Sequence, residues 1–101
     1  MKIIQDGDTL RVSEIEELAS SNSRDFQSAI NSALPPEFRE LEIDLSRTGY
    51  LDCGGIGALI AVGKRARGCH ATVRLRNSPP MARRLFQLTC LPELFPVESE
   101  K

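Results

Sequence analysis

The chain is poor in aromatic residues and histidine, and its cysteines form no recognisable ligand pattern. Its 101 residues include four Phe, one Tyr, no Trp, one His and three Cys. The cysteines, Cys53, Cys69 and Cys90, are odd in number and form no CxxC pair. A cysteine set of this kind indicates neither a disulfide framework nor a zinc site, and a single histidine adds no ligand cluster. We therefore predict no metal and no cofactor.

The chain also lacks a strong net charge and a long apolar run. Its formal net charge is −1, which is too small to favour nucleic acid or an anionic membrane surface. The chain has a set of nearby basic residues, Lys64, Arg65, Arg67, Arg83 and Arg84. Such residues more often form a solvated helix face than a nucleic-acid site. No apolar run approaches the roughly 20 residues of a membrane span, and the N-terminus resembles no signal peptide. We predict a cytoplasmic protein without a nucleic-acid partner and without direct membrane insertion.

The composition is that of one ordinary globular domain. The hydrophobic fraction is 41% and the charged fraction is 27%, and a chain of this length buries enough surface for one core. No linker, repeat or low-complexity segment interrupts it. We assign residues 1–101 to a single domain, in which residues 1–8 hold a candidate N-terminal strand and residues 98–101 form a tail.

Three segments alternate apolar and polar residues, as half-buried strands do: residues 9–13, 41–45 and 71–75. A further strand at residues 3–5 is predicted to pair with the first of them across the turn at Asp6-Gly7-Asp8. Tyr50-Leu51 is a short extended piece. Because only one side of each alternating strand is apolar, the sheet is expected to carry its helices mainly on one face.

Three amphipathic segments separate or follow these strands. The first runs from Phe26 to Leu34, after a polar Ser20–Ser23 cap, and stops at Pro35. The second begins near Gly54 and ends at Gly68, a candidate C-cap. The third follows Asn77-Ser78-Pro79-Pro80, with an apolar face of Met81, Leu85, Leu88 and Cys90 and a terminal apolar segment Leu94–Val97. The order predicts an α/β domain with a mixed sheet of four or five strands.

The stretch Leu51-Asp52-Cys53-Gly54-Gly55-Ile56-Gly57 lies where an extended segment meets the second helix. Unpaired N–H groups at a helix start favour an anion and activate a thiol, so Cys53 is a candidate reactive or anion-binding position. In the alternative interpretation, Cys53 is a small buried side chain and Asp52 merely caps the helix, and the residues alone favour this alternative. A catalytic pair of Cys53 with His70 is disfavoured, because the intervening helix separates them by on the order of 20 Å. We predict that the protein is not an enzyme.

The segments "LEIDLSRTGYLDCGGIGALIAVGKRARGCHATVRLRN" and "SPPMARRLFQLTCLPELFPV" together resemble the STAS domain, as in bacterial anti-sigma factor antagonists. The pattern is carried by Asp44-Leu45-Ser46, Asp52, Gly55, Gly57 and the Leu-Thr-Cys-Leu tail. The resemblance covers residues 38–98 well and the first third only in pattern. It implies a single STAS-like domain with helices on one face of a mixed sheet.

The resemblance also implies a protein partner. Family members of this type bind a histidine-kinase-like ATPase, an anti-sigma factor that is also a serine kinase. That kinase phosphorylates the first serine after the Asp, and the phosphate expels it. By position this serine is Cys53 and the next is Gly54, so the resemblance implies a retained docking edge and a lost serine switch. The implied partner-binding residues are Asp52, Cys53, Gly54, Gly55, Ile56 and Gly57.

Several alternatives stay open at this point. Ser46 and Thr48 are nearby hydroxyls that offer other modification sites, although turn chemistry after a strand explains both residues more simply. Some small family members serve lipid-transport ABC systems by binding the ATPase subunit, and this chain resembles them equally. A redox sensor acting through Cys53 requires an exposed thiolate. The oligomeric state is also open.

Overall fold

The computed structural model describes residues 1–34, 37–80 and 84 of the chain. Eight elements have defined bounds in this part: β1 (Lys2–Asp6), β2 (Thr9–Ser13), β3 (Glu17–Leu18), α1 (Ser23–Ala33), β4 (Glu40–Asp44), β5 (Tyr50–Leu51), α2 (Cys53–Gly68) and β6 (Thr72–Arg76). The predicted order of the alternating strands and of the first two helices is confirmed, and the alternating strands shift by one residue at most.

A four-stranded mixed sheet in the order β1-β2-β4-β6 forms the centre of the domain. β1 and β2 are antiparallel, whereas β2, β4 and β6 run parallel with Leu10 opposite Leu41 and Leu41 opposite Val73. The predicted hairpin at the N-terminus is confirmed. Its two-residue loop starts with Gly7 at φ +64, a backbone conformation that glycine adopts without steric cost.

One face of the sheet carries the hydrophobic core. The strand residues fully buried on that face are Leu10, Val12, Leu41, Ile43, Val73 and Leu75. Phe26 and Ile30 of α1 and a stripe along α2 belong to the same core. The opposite face is charged, since Glu42 accepts from Arg11 at 3.5 Å and from Arg76 at 2.7 Å. The expectation of helices mainly on one face of a mixed sheet is therefore confirmed for α1 and α2, the two helices with defined bounds among the described residues.

The predicted end of α2 at Gly68 is confirmed, but the predicted C-cap needs a correction. Gly68 is still helical, and the left-handed residue that closes the helix is His70, with φ +62. The His70 N–H donates to the Arg67 carbonyl at 3.0 Å, and the Ala71 N–H donates to the Ala66 carbonyl at 2.9 Å. These two bonds form a Schellman motif, which holds a residue other than glycine in the left-handed conformation.

A second, two-stranded parallel sheet of β3 and β5 was missed by the sequence analysis. Each strand has only two residues, so neither shows a period. The predicted third helix lies mostly outside the described residues, and its two described residues, Pro80 and Arg84, are helical. The segment 94–97 and the tail 98–101 lie outside them as well. Among the described residues, none of the helices is both long and apolar enough to span a bilayer.

Candidate functional site

The two-stranded sheet of β3 and β5 positions the start of α2. Leu18 of β3 lies opposite Leu51 of β5, and both side chains are buried. Directly after β5, the Asp52 N–H donates to the Leu18 carbonyl at 3.3 Å. The loop that follows β3, residues 19–22, is therefore held beside the first turn of α2.

The Asp52 carboxylate joins this loop to the helix. Its Oδ1 accepts the Gly55 N–H at 3.1 Å, which makes Asp52 the N-cap of α2. The same oxygen accepts the Ser20 N–H at 3.1 Å. A carboxylate at this position satisfies an otherwise unpaired helix donor and interacts favourably with the helix dipole. The interpretation of Asp52 as a helix cap is confirmed, and the contact with Ser20 is an addition that the sequence did not predict.

The loop itself is closed by Asn22, the residue before α1. Its Oδ1 accepts the Ala19 N–H at 2.8 Å, and its Nδ2 donates to the Glu17 carbonyl at 3.0 Å. Asn22 therefore makes no side-chain hydrogen bond to the α1 N–H groups. The amide side chain instead fixes the turn from β3 into α1, and this keeps Ser20 in place against Asp52.

Gly54 and Gly55 allow this close packing. A Cβ atom on Gly54 would meet the Ser20 hydroxyl and would lie 2.5 Å from the Ser20 Cα. A Cβ atom on Gly55 would meet the Leu18 carbonyl oxygen and would lie 2.6 Å from its carbon. The family resemblance implied that both glycines contact a partner. In the structure, their close neighbour is the backbone of the same chain.

The six predicted partner-binding residues divide into an accessible and a buried set. Cys53 and Gly57 are exposed, and Asp52 and Gly54 are partly buried. Gly55 is buried, and Ile56 is only 3% exposed because it packs in the core. The interpretation of Cys53 as a small buried residue is wrong, because Leu51 and Ile56 take the core positions on either side of it.

The two alternative modification residues have local structural roles. The Thr48 hydroxyl donates to the Ile15 carbonyl at 2.6 Å, and Thr48 is only 4% exposed. Ser46 is exposed, and its N–H donates to Asp44 Oδ1 at 2.9 Å. Both contacts stabilise the connection from β4 to β5, in agreement with turn chemistry. The burial of Thr48 removes it from reach of a modifying enzyme in the folded protein.

The ionised carboxylate of Asp44 stabilises the connection from β4 to β5. Burial alone raises the pKa of the Asp44 carboxyl, but hydrogen bonds from Ser46 and Asn77 and the charge of Arg76 lower it more. The net pKa lies below the ordinary value of 3.8. Asn77 Nδ2 donates to Asp44 Oδ1 at 3.1 Å, so the carboxylate also ties the end of β6 to the end of β4.

Other candidate groups lie apart from the α2 start. His70 follows the end of the 16-residue α2, about 24 Å along the axis from Cys53, so these two side chains do not form a pair. A cavity of about 530 Å³ opens between the β2–β3 connection and α1. Its polar lining is mainly acidic, and none of the residues predicted to bind a partner lines it.

Sequence reasoning missed two exposed residues beside the α2 start. Ser20 comes from a segment 32 positions before Asp52, and only the pairing of β3 with β5 brings it there. Tyr50 is 53% exposed although it is the single tyrosine of the chain. Leu51 is buried, and neighbouring residues of a strand point to opposite faces, so Tyr50 points outward. Two residues are too few to predict this from the sequence.

Comparison with protein-family models gives a match over residues 2–96 to the STAS domain model described as "Mlab, STAS domain". No curated protein sequence is a significant match. The sequence similarity therefore rests on the family model, which spans nearly the whole chain.

Solved structures with the same fold cover almost all of the chain. A candidate anti-sigma factor antagonist from Thermotoga maritima superposes with a TM-score of 0.84 at 15% identity, covering 98% of this chain and 86% of that one. The unphosphorylated form of the anti-sigma factor antagonist SpoIIAA gives 0.70 at 14% identity, with coverages of 99% and 88%. The phosphorylated form of the Bacillus cell fate determinant SpoIIAA gives 0.69 at 16%, with coverages of 98% and 91%. At such identities the similarity concerns the fold.

Proposed function

Because the chain belongs to the STAS domain family, we propose that it is a non-enzymatic protein-interaction module of the anti-sigma factor antagonist type. Its partner is a histidine-kinase-like ATPase of the anti-sigma factor serine kinase class. The observation that carries the proposal is the exposure of Cys53 and Gly57 near the start of α2, on a backbone that Asp52 caps.

The proposed docking surface consists of Ser20, Tyr50, Cys53 and Gly57. All four residues are exposed, and they lie on the loop after β3, on β5 and on the first turns of α2. An exposed tyrosine supplies the rigid aromatic area that interface anchors commonly use. The buried Gly55 and Ile56 support this surface from below, so their part in binding is indirect.

The proposal includes the loss of the serine switch. The first turn of α2 begins Cys53-Gly54-Gly55 and carries no hydroxyl. A kinase that transfers phosphate to a serine hydroxyl therefore finds no acceptor in this turn. We infer that the docked state is not released by phosphorylation at this position.

Replacing Cys53 with aspartate is expected to weaken partner binding roughly tenfold or more. A charge at the centre of the docking surface is desolvated on binding without a matched donor. The partner is first recovered from the native host by pull-down and mass spectrometry, and affinities are then measured by titration calorimetry.

The matched control is Cys69→Asp. Cys69 is also exposed and lies at the opposite end of α2, so the same substitution there should leave the affinity unchanged. Thermal melts verify that both variants are folded. Equal affinity of wild type and folded Cys53→Asp would place the interface elsewhere.

Replacing Cys53 with serine is expected to create a phosphate acceptor. The hydroxyl would sit at the start of α2, where the helix N-terminus favours a phosphate group. Incubation with the recovered kinase and ATP, followed by intact mass measurement, should give one adduct on the variant and none on the wild type. A phosphate adduct on the wild-type Cys53 would refute the loss of the switch.

A second candidate function is that of a small STAS subunit which binds the ATPase of a lipid-transport ABC system. The absence of a hydroxyl in the first turn of α2 favours it, since a permanent subunit needs no release by phosphorylation. The same pull-down separates the two candidates. A histidine-kinase-like ATPase supports the first candidate, and a transporter ATPase supports the second.

A further inference from the structure

β1 is an edge strand of the four-stranded sheet, and we propose that it pairs in antiparallel fashion with β1 of a second copy of this chain. In the register that we infer, Ile4 lies opposite Ile4 of the second copy across a two-fold axis. The two sheets then form one continuous sheet of eight strands. The inference is independent of the proposed function, because it rests on a different edge of the molecule.

The hydrogen-bonding groups of β1 alternate between β2 and the open edge. Asp6 lies opposite Thr9 across the two-residue loop, and Ile4 lies opposite Arg11. The pair that closes such a hairpin exchanges both of its hydrogen bonds, and so does every second pair after it. The backbone groups of Asp6 and Ile4 are therefore directed to β2, and those of Ile3 and Gln5 are directed to the open edge.

The neighbouring strands support this alternation. The carbonyl of Asp8 accepts the Glu40 N–H at 3.3 Å, on the β4 side of β2. Adjacent residues of a strand direct their backbone groups to opposite sides, so Thr9 directs its groups to β1. Among the described residues, no strand pairs with the other side of β1. Its outward N–H and C=O groups match the pattern that an antiparallel strand requires.

The inferred register agrees with these groups. With Ile4 opposite Ile4, Ile3 lies opposite Gln5 of the second copy, and each of these residues directs its N–H and C=O to the edge. The central Ile4 pair is then a non-hydrogen-bonded pair, in which the side chains approach most closely. Ile4 is 44% exposed in the monomer, and this contact would cover it.

The charges of β1 are self-complementary in this register. Lys2, Ile4 and Asp6 share the face away from the core, since the intervening Ile3 packs against the core. Lys2 of each copy then lies opposite Asp6 of the other, which gives two opposite-charge pairs. Such cross-strand pairs are favourable. Asp6 also contacts Arg11 at 2.9 Å within its own chain, but its side chain remains 63% exposed and accessible to the second lysine.

The charges of β1 also disfavour other pairing registers. If the second copy is shifted by two residues in either direction, Lys2 no longer lies opposite Asp6, and Lys2 or Asp6 lies opposite Ile4 instead. A lysine on an edge strand usually prevents pairing, and here it does so for every register except the one that places it against an acid. In the part of the chain that the structure describes, β6 is the strand at the other end of the sheet. Pairing of β6 with itself about its centre would place Arg74 opposite Arg74, and although each Arg74 contacts Glu40 at 3.1 Å, the register offers no acidic partner across the edge.

The proposed dimer contact and the proposed docking surface share no residue. β1 lies beside β2 at the end of the strand order opposite β6, whereas the docking surface is formed by the loop after β3, by β5 and by the start of α2. Loss of dimer formation and loss of partner binding are thus expected from different substitutions, so failure of either proposal is recognised separately.

The test uses two charge reversals, Lys2→Asp and Asp6→Lys, with sedimentation velocity measured from micromolar to millimolar concentration. Wild type should show a reversible monomer–dimer equilibrium that weakens with salt. Each variant alone brings like charges together twice, so its dimer dissociation constant should rise at least about tenfold. An equal mixture of the two variants should form a heterodimer, because each Asp then faces a Lys. The matched control is Lys64→Asp, on an exposed position of α2. It makes the same change in net charge as Lys2→Asp and should dimerise like wild type.

A backbone variant tests the hydrogen bonds. Gln5→Pro removes an N–H that is directed to the open edge, so the β1–β2 hairpin should persist in circular dichroism while the dimer is lost. A wild type that stays monomeric at millimolar concentration would overturn the proposal. Undiminished dimers of Lys2→Asp or Gln5→Pro, or a mixture of variants that does not associate, would overturn it as well.

Discussion

Replacing Gly55 with alanine is expected to destabilise the protein by about 1–2 kcal/mol. The new Cβ atom would overlap the carbonyl group of Leu18, whose carbon lies 2.6 Å from the Cβ position. A backbone carbonyl in a paired strand cannot rotate away as a flexible side chain can, so α2 or β3 must shift. Overpacking of this kind typically costs 1–3 kcal/mol and here exceeds the roughly 1 kcal/mol by which alanine favours a helix over glycine.

Gly57→Ala is the matched control, two residues further along the same helix. A Cβ atom on Gly57 has no neighbouring atom within 4 Å, and the residue is exposed. The same substitution should therefore stabilise the protein by about 0.5–1 kcal/mol. Urea unfolding followed by circular dichroism gives both free energies of unfolding. Equal signs for the two variants would show that the contact between α2 and β3 is not as tight as the structure has it.

Replacing Asp52 with alanine is expected to cost about 2.5 kcal/mol or more of unfolding free energy. The substitution removes the acceptor for the Gly55 N–H, which is a helix cap, and for the Ser20 N–H, which belongs to a different segment. Loss of a cap costs about 1 kcal/mol, and a hydrogen bond to a charged group contributes about 1.5–3 kcal/mol. Asp52→Asn keeps an oxygen acceptor, so its loss should stay below about 1 kcal/mol.

The control for this prediction is Asp25→Ala. Asp25 is an exposed acidic residue in the first turn of α1, so its charge also faces a helix N-terminus. Its removal should cost less than about 1 kcal/mol. Hydrogen exchange adds a local measurement, because Asp52→Ala should release the Ser20 and Gly55 amides while Asp25→Ala leaves them protected. A similar loss of stability in both variants would mean that Asp52 acts only through its charge.

Asp52 also connects the stability of the fold to the proposed function. Its carboxylate holds the loop of Ser20 against the turn of Cys53, and these residues belong to the docking surface. The Asp52 carboxylate therefore stabilises the folded state and also fixes the shape of the docking surface. Partner binding by Asp52→Ala should therefore be interpreted together with its melting curve.

The sequence by itself determined the central sheet and the helix that begins after Asp52. The alternation of Leu41, Ile43 and Leu45 places one apolar face on a strand, because side-chain direction in a strand repeats every two residues. The same local logic predicted the hairpin at Gly7 and the start of α2 near Cys53. The family pattern added the position of Cys53 at that start, in the place of the serine acceptor.

Only the tertiary structure decided what surrounds that helix start. Leu18 and Ser20 are far from Asp52 in the chain, and β3 is too short to show a period. The pairing of β3 with β5 brings them together, and the space that they leave explains why positions 54 and 55 are glycine. The tertiary structure also buries Ile56 and Thr48, whereas it leaves Cys53 and Gly57 exposed. Local patterns determine which face of an element is apolar, whereas accessibility depends on which distant segment packs against it.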